Sequence, residues 1–348
     1  MLALSLGCGS GDGRVDSDSG GIISASASSG IGSLSAGTAT TGESGSDSEE
    51  TLGGTGTNTG ASGTTGIKFD LGVVPDAPAD CSENGGMEQD LSYIWVANTE
   101  VGTVSKINTR TGVIEGRFNT DNTAQSPSRT TVNQFGDMLV ANRGDKAGVA
   151  VVASFDDRCS DKNNDGVITT STGYGDVLPW GSDECLLWYA SVPASYEYGP
   201  RAVAWEGGEV DPVTCENSVP NPRVWVGYRG AGGSTYEVRR YNGQNGQLLD
   251  EVTVPGTDSR PYGGAVNREG DFWFVTRGGG RRLVRVDVDG VNWEEFVAPG
   301  NPYGMSIDQN GDPWLAVYDN GGGDKVYRFD TQLSQFVDSG GGIGFHRG

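Results

Sequence analysis

NREGDFWFVT (267–276) is a phrase that this chain repeats. NQFGDMLVAN (133–142) and DQNGDPWLAV (308–317) share its polar opening, its glycine, its acid and its alternating apolar run. A broken relative, WEGGE (205–209), resumes as RVWVGY (223–228), and YIWVAN (93–98) supplies the same strand at the start. The neighbours of the phrase recur as well. Ahead of it stand SPSR (126–129), YGPR (198–201), RPYG (260–263) or NPYG (301–304). Behind it comes a strand with a basic–apolar–Asn/Asp core: Lys106-Ile107-Asn108, Arg240-Tyr241-Asn242, Arg285-Val286-Asp287 and Arg328-Phe329-Asp330. A glycine turn and a fourth apolar strand follow in TRTGVIEGRF (109–118) and NGQNGQLLDEVTV (242–254). Four short antiparallel strands in series predict an all-β fold, a β-propeller of four-stranded blades with about five repeats visible. The step from Pro261 to Pro302 falls within the roughly 40–50 residues of such a blade. Longer steps elsewhere require insertions.

Strand chemistry accounts for the phrase itself. Its glycine can take a positive φ in a tight hairpin, and the acid beside it can accept backbone amides. Trp95, Trp225, Trp273 and Trp314 fall at one place in the repeat, with Leu139 in the second blade. Large side chains at a fixed strand position are expected to pack between blades.

Composition narrows the function. The 348 residues include 58 Gly and a single His, and carry a formal charge of −22. Nucleic acid and anionic membrane surfaces both call for a basic face, so neither is an expected partner. Residues 9–66 are almost wholly Gly, Ser, Thr, Ala and acids, with no aromatic ring, and read as a disordered tether ahead of the propeller at 67–348. Met1 to Cys8 form an apolar stub ending in Gly7-Cys8. That stub resembles the tail of a bacterial lipoprotein signal peptide, which implies lipidation of Cys8, export, and an outer-membrane anchor facing the periplasm or the cell surface. The stub lacks a charged n-region, and Ser5 stands where such signals carry Leu.

Without Cys8 the cysteines number four, Cys81, Cys159, Cys185 and Cys215, with no CxxC spacing. An even set in a glycine-rich exported chain is expected to form disulfides. Cys159 and Cys185 bracket one insertion and are the favoured pair, leaving Cys81 for Cys215. The insertion, taken as 156–197, contains DKNNDGVI (161–168). Asp161, Asn163, Asp165, Gly166 and the Val167 carbonyl match the opening of a calcium loop, where alternate oxygens converge on one hard cation. Thr172 stands where the closing bidentate Glu belongs, so Asp176, Asp183 or Glu184 must complete a calcium shell; otherwise the run is an Asx-rich turn. Asp176 is the acid assigned here.

The G-D-x-W-[FL]-[VA] and P-x-G phrases, over about residues 90–348, resemble those of NHL-like and streptogramin-lyase-like (virginiamycin B lyase) propellers, and the tether with its insertion is similar to secreted lipoproteins of myxobacterial type. In those lyases, His and Glu residues at the channel mouth act with magnesium to open cyclic depsipeptides by elimination. Their W-F-T-E phrase appears here as Trp273-Phe274-Val275-Thr276-Arg277, with an insertion and with Arg in place of the acid. The one histidine, His346, cannot assemble a two-histidine site. GxSxG, HExxH and P-loop motifs are absent, and Glu206, Glu209 and Asp211 read as solvated acids.

Binding of a small-molecule, glycan or protein ligand by a monomeric, calcium- and disulfide-braced module is the favoured reading. A lyase of the streptogramin type and a purely structural envelope protein are the alternatives. Arg129, Arg201, Tyr262, Tyr303 and Arg347 are read as one equivalent position near the inner strand, ringing one end of the channel, where they suit an anionic or glycan-like ligand. The chain ends on GIGFHRG (342–348), which reads as a first strand. Closure at five blades and a longer ring both remain open.

Overall fold

The computed structural model describes residues 92–339 apart from 124–125, 145, 195–198, 209–217, 257–258, 291 and 319–324. The stub, the tether, Cys8, Cys81, Cys215, Glu209, Asp211, His346 and Arg347 lie outside the described residues. Five antiparallel sheets follow one another along the chain. The first has β1 (Tyr93–Asn98), β2 (Thr103–Asn108) and β3 (Ile114–Asn119). The second has β4 (Pro127–Val132), β5 (Met138–Asn142), β6 (Gly148–Val152) and β7 (Leu186–Ser191). The third has β8 (Ala202–Trp205), β9 (Arg223–Arg229), β10 (Thr235–Asn242) and β11 (Leu248–Pro255). The fourth has β12 (Ser259–Val266), β13 (Phe272–Gly278), β14 (Arg282–Val286) and β15 (Trp293–Val297). The fifth has β16 (Asn301–Ile307), β17 (Pro313–Tyr318), β18 (Lys325–Asp330) and β19 (Gln335–Asp338). The chain is an all-β propeller of four-stranded blades, with β1–β3 the described part of the first. Leu186–Ser191, grouped above with the insertion, is instead the fourth strand of blade 2, because its alternating apolar side chains extend that blade's sheet.

The repeated strand buries both of its faces. In β13, Phe272 and Phe274 pack against blade 3, while Trp273 and Val275 pack against blade 5. In β5, Met138 and Val140 face blade 1 and Leu139 faces blade 3. Each of the four hydrophobic clusters is thus one blade-to-blade interface, and the tryptophans Trp95, Trp225 and Trp273 point toward the blade that follows. Trp225 lies parallel to Phe272 of blade 4 at 5.7 Å. Strand packing runs in an arc from β1 to β4, β8, β12 and β16. Packing of comparable extent between β16 and β1 is absent among the described residues.

Polar groups lock the ends of the phrase. The Asn267 side-chain oxygen accepts the Asp271 amide, and Asp308 repeats this with Asp312. Gly270 between them has φ +96°, and an added Cβ would meet Val288 at 2.7 Å, so glycine is required twice over. The acid then pairs with the arginine that lies opposite the tryptophan in register. Asp271 bonds Arg285, partner of Trp273, and Asp312 bonds Arg328, partner of Trp314. In blade 3 Glu206 takes the acid's part, pairing with Arg223 and Arg240, and Arg240 lies 4.7 Å from the Trp225 ring. Glu206 is therefore buried and paired, not solvated as expected, because the broken repeat leaves it where the acid belongs. Blade 2, where Leu139 replaces Trp, has Val151 opposite, and Asp137 takes its arginine, Arg158, from the insertion.

Removing the Trp225 ring leaves a void that rigid neighbouring blades cannot fill. Trp225→Ala is expected to cost about 3–5 kcal/mol in urea-induced unfolding; a loss below about 1 kcal/mol would show that the ring is not interface core.

Candidate functional site

Prolines set the start of each inner strand. Pro127, Pro261 and Pro302 pair with Asn142, Thr276 and Val317, and a bulge follows each of them. Aligned on the proline, the bulged position holds Ser128, Tyr262 and Tyr303, and Arg201 follows Pro200 in blade 3. This corrects the equivalence assumed above. Arg129 sits one residue later, at the place of Gly304, because it stands two residues after its proline while Tyr262 and Tyr303 stand one after theirs.

The side chains nonetheless converge. The Arg129 and Arg201 guanidinium carbons lie 4.8 and 4.7 Å from the centroid of the Tyr262 ring, and Arg129 also reaches Tyr303 at 5.4 Å. Tyr262 and Tyr303 are 4.7 Å apart. An arginine of blade 2 that touches a ring of blade 5 brings the inner ends of those blades to one place. All four side chains are less than 10% exposed, so they form a packed cluster rather than a surface ring. An added Cβ at Gly304 would meet nothing within 4 Å, so open space remains beside the cluster.

Sequence reasoning missed the cation that completes it. Arg277, at the end of β13, lies 4.6 Å from Tyr262, 4.7 Å from Tyr303 and 5.2 Å from Tyr318, and donates to the Tyr318 hydroxyl. Burial acts to lower its pKa, but the Tyr262 and Tyr318 oxygens outweigh that and hold it above the ordinary value, so the charge is permanent. Arg260 stands directly opposite Arg277 in the β12–β13 register. A signal for Arg277 existed: the fourth residue after the repeat's large side chain is Thr99, Arg143, Arg229, Arg277 or Tyr318 in successive blades.

The insertion forms a second candidate. Cys159 and Cys185 are joined, the pairing that their spacing favoured. The Asp161 carboxylate accepts the Asp165 and Gly166 amides, Asn163 accepts the Asp165 amide, and Asp165 accepts the Val167 amide. Asp161, Asn163 and Asp165 therefore share one turn, with Gly166 at φ +84°. The acids expected to fold back behave differently from one another. Asp176 bonds Thr172, and Asp183 caps Thr170 and Ser171. Only Glu184 reaches the loop's start, where it accepts the Lys162 and Asn163 amides. The insertion also crosses to blade 1, since Asn119 donates to the Leu178 carbonyl and Arg117 stacks on Tyr174.

No protein-family model matches the chain, and no curated protein matches its sequence. Solved structures do. The chain is similar to streptogramin B lyase at 15% identity and TM-score 0.48, covering 72% of this chain and 65% of the lyase. Virginiamycin B lyase from Staphylococcus aureus gives 15% identity and 0.47, over 72% of this chain and 67% of that one. The Dos1 propeller gives 10% identity and 0.46, over 72% and 56%. The chain resembles the streptogramin lyases in fold. It spans 65% of the length of streptogramin B lyase, and the whole lyase's activity does not transfer with the likeness.

Proposed function

We propose that this chain is a ligand-binding module whose ligand sits at the Arg129/Arg201/Tyr262/Tyr303 cluster and is held without turnover. The observation that supports it is the meeting of side chains from four blades at one point beside open space. Propellers present ligands to the ends of their inner strands, and rings flanked by guanidiniums offer both stacking and charge. Elimination of the lyase type asks for histidines that the chain's one His cannot supply. A purely structural envelope role has no need of buried arginines at the inner strand ends. Saturable binding of a ligand drawn from a panel of anions, glycans and cyclic depsipeptides, with that ligand recovered intact, is the expected result, and Arg201→Gln should weaken it at least tenfold. Magnesium-dependent opening of a depsipeptide would sink this reading in favour of the lyase.

The same module is proposed to bind calcium through Asp161, Asn163, Asp165 and the Val167 carbonyl. Support comes from the shared turn of the three side chains and from Glu184 at its start. Titration of the full chain with calcium is expected to release heat and to raise the melting temperature, with both effects lost in Asp161→Ala. Identical melting in calcium and in chelator removes the metal and leaves an Asx turn.

Export with a lipid on Cys8 completes the proposal, supported by the disulfide, which suits an oxidising compartment. Fatty-acid labelling that disappears in Cys8→Ser is the expected outcome; labelling that never appears in a Gram-negative host would remove the anchor.

A further inference from the structure

Blades 1 and 5 differ from the middle three in what their faces touch. β5, β9 and β13 bury consecutive residues, whereas β17 alternates: Pro313, Leu315 and Val317 are buried, and Trp314, Ala316 and Tyr318 are half-buried. Leu315 and Val317 pack on blade 4. The other face, which in blades 1, 3 and 4 carries a tryptophan into the next blade, is not sealed in the same way. Among the described residues Trp314 belongs to none of the four interface clusters. Its neighbours follow it. Val326 pairs with Ala316 as Leu283 pairs with Val275, yet Val326 is 39% exposed and Leu283 is 0%. Val337, opposite Arg328, is 37% exposed.

Blade 1 presents the complementary surface. The residues flanking the large side chain of the repeat, Val224 and Val226 in blade 3 or Phe272 and Phe274 in blade 4, are sealed by the blade before them. Their equivalents Ile94 and Val96 are only half-buried, as is Ile107 opposite Ile94. One chain thus carries both halves of an interface that it makes four times. Packing between β16 and β1 of the extent seen between the other inner strands does not join those halves among the described residues. Stacked repeats need polar caps on their outer faces to stay soluble. Here the two outer faces are aromatic and aliphatic instead.

We propose that the Trp314 face of blade 5 docks on the Ile94 face of blade 1 of a second copy, head to tail. The contact continues the blade interface that the chain already builds, in which the indole of one blade meets the apolar pair of the next as Trp225 meets Phe272. A second copy fits because it brings the same flanking pair on the same kind of strand. The monomeric state expected from the sequence gives way to self-association. Two different surfaces meet, so the interface is heterologous, and each contact leaves one free face of either kind at its ends. Copies therefore add until a ring closes or an open chain grows.

Sedimentation velocity of the full chain over a wide range of concentration tests this. The mass should rise with concentration beyond that of one chain. Val326→Lys blocks the blade 5 face and Val96→Lys the blade 1 face, so each variant alone should stay monomeric. Mixed in equal amounts, the two variants should form a dimer and nothing larger, because each supplies the face that the other has lost. Melting of each variant is read alongside. Where Val96→Lys melts less cooperatively than the parent, Ile107→Lys on the same face takes its place. A parent chain that stays monomeric at every concentration overturns the proposal and shows that each chain covers its own faces. Association that survives either variant overturns it too, in favour of like faces pairing or of another surface. So does a mixture that stays monomeric while both variants melt like the parent.

Discussion

Everything in this molecule depends on a strand that must bury both faces. β5, β9 and β13 carry apolar side chains at consecutive positions, so each sheet needs a neighbour on either side. Sheets with that requirement can only stack in series. Stacking around an axis requires close packing at the inner strands, where the large side chain of one blade meets the apolar face of the next, as Trp225 meets Phe272. The hydrophobic contribution is spread over four interfaces, and none of them closes within a single blade.

Burying both faces leaves the polar ends of the strands to be satisfied separately. The acid of the repeated phrase does this by pairing with the arginine opposite the tryptophan and by accepting a backbone amide from the next turn, as Asp271 does with Arg285 and Val288. That pairing consumes the carboxylates nearest the blades. Converging inner strand ends then gather arginines and tyrosines from several blades. Function in a propeller lies in what the inner strand ends carry, because the blades themselves do little besides hold those ends in place.

Particular residues show how far the sequence could be read. The strand repeat was plain because two-residue alternation and the glycine turn are local properties, and the structure has the five sheets that they imply. Cys159 and Cys185 were readable because a disulfide needs proximity, and one insertion brings its own ends together. Arg201, Tyr262 and Tyr303 each follow a proline directly, and Arg129 was found through a false alignment, since it stands two residues after its own. Glu206 was misread because its partners Arg223 and Arg240 come from later strands. Arg277 escaped notice for a related reason, since its ring partners Tyr303 and Tyr318 belong to the following blade.

The sequence by itself determined that this protein is built of repeated antiparallel strands and which of their residues face a core. These follow from periodicity and residue type, and both are written locally along the chain. Only the tertiary structure decided which arginines are gathered on the rings of other blades. Charge neutralisation falls off within a few ångströms, and the distances that matter here, from blade 2 to blades 4 and 5, exist only once the sheets have packed around one axis.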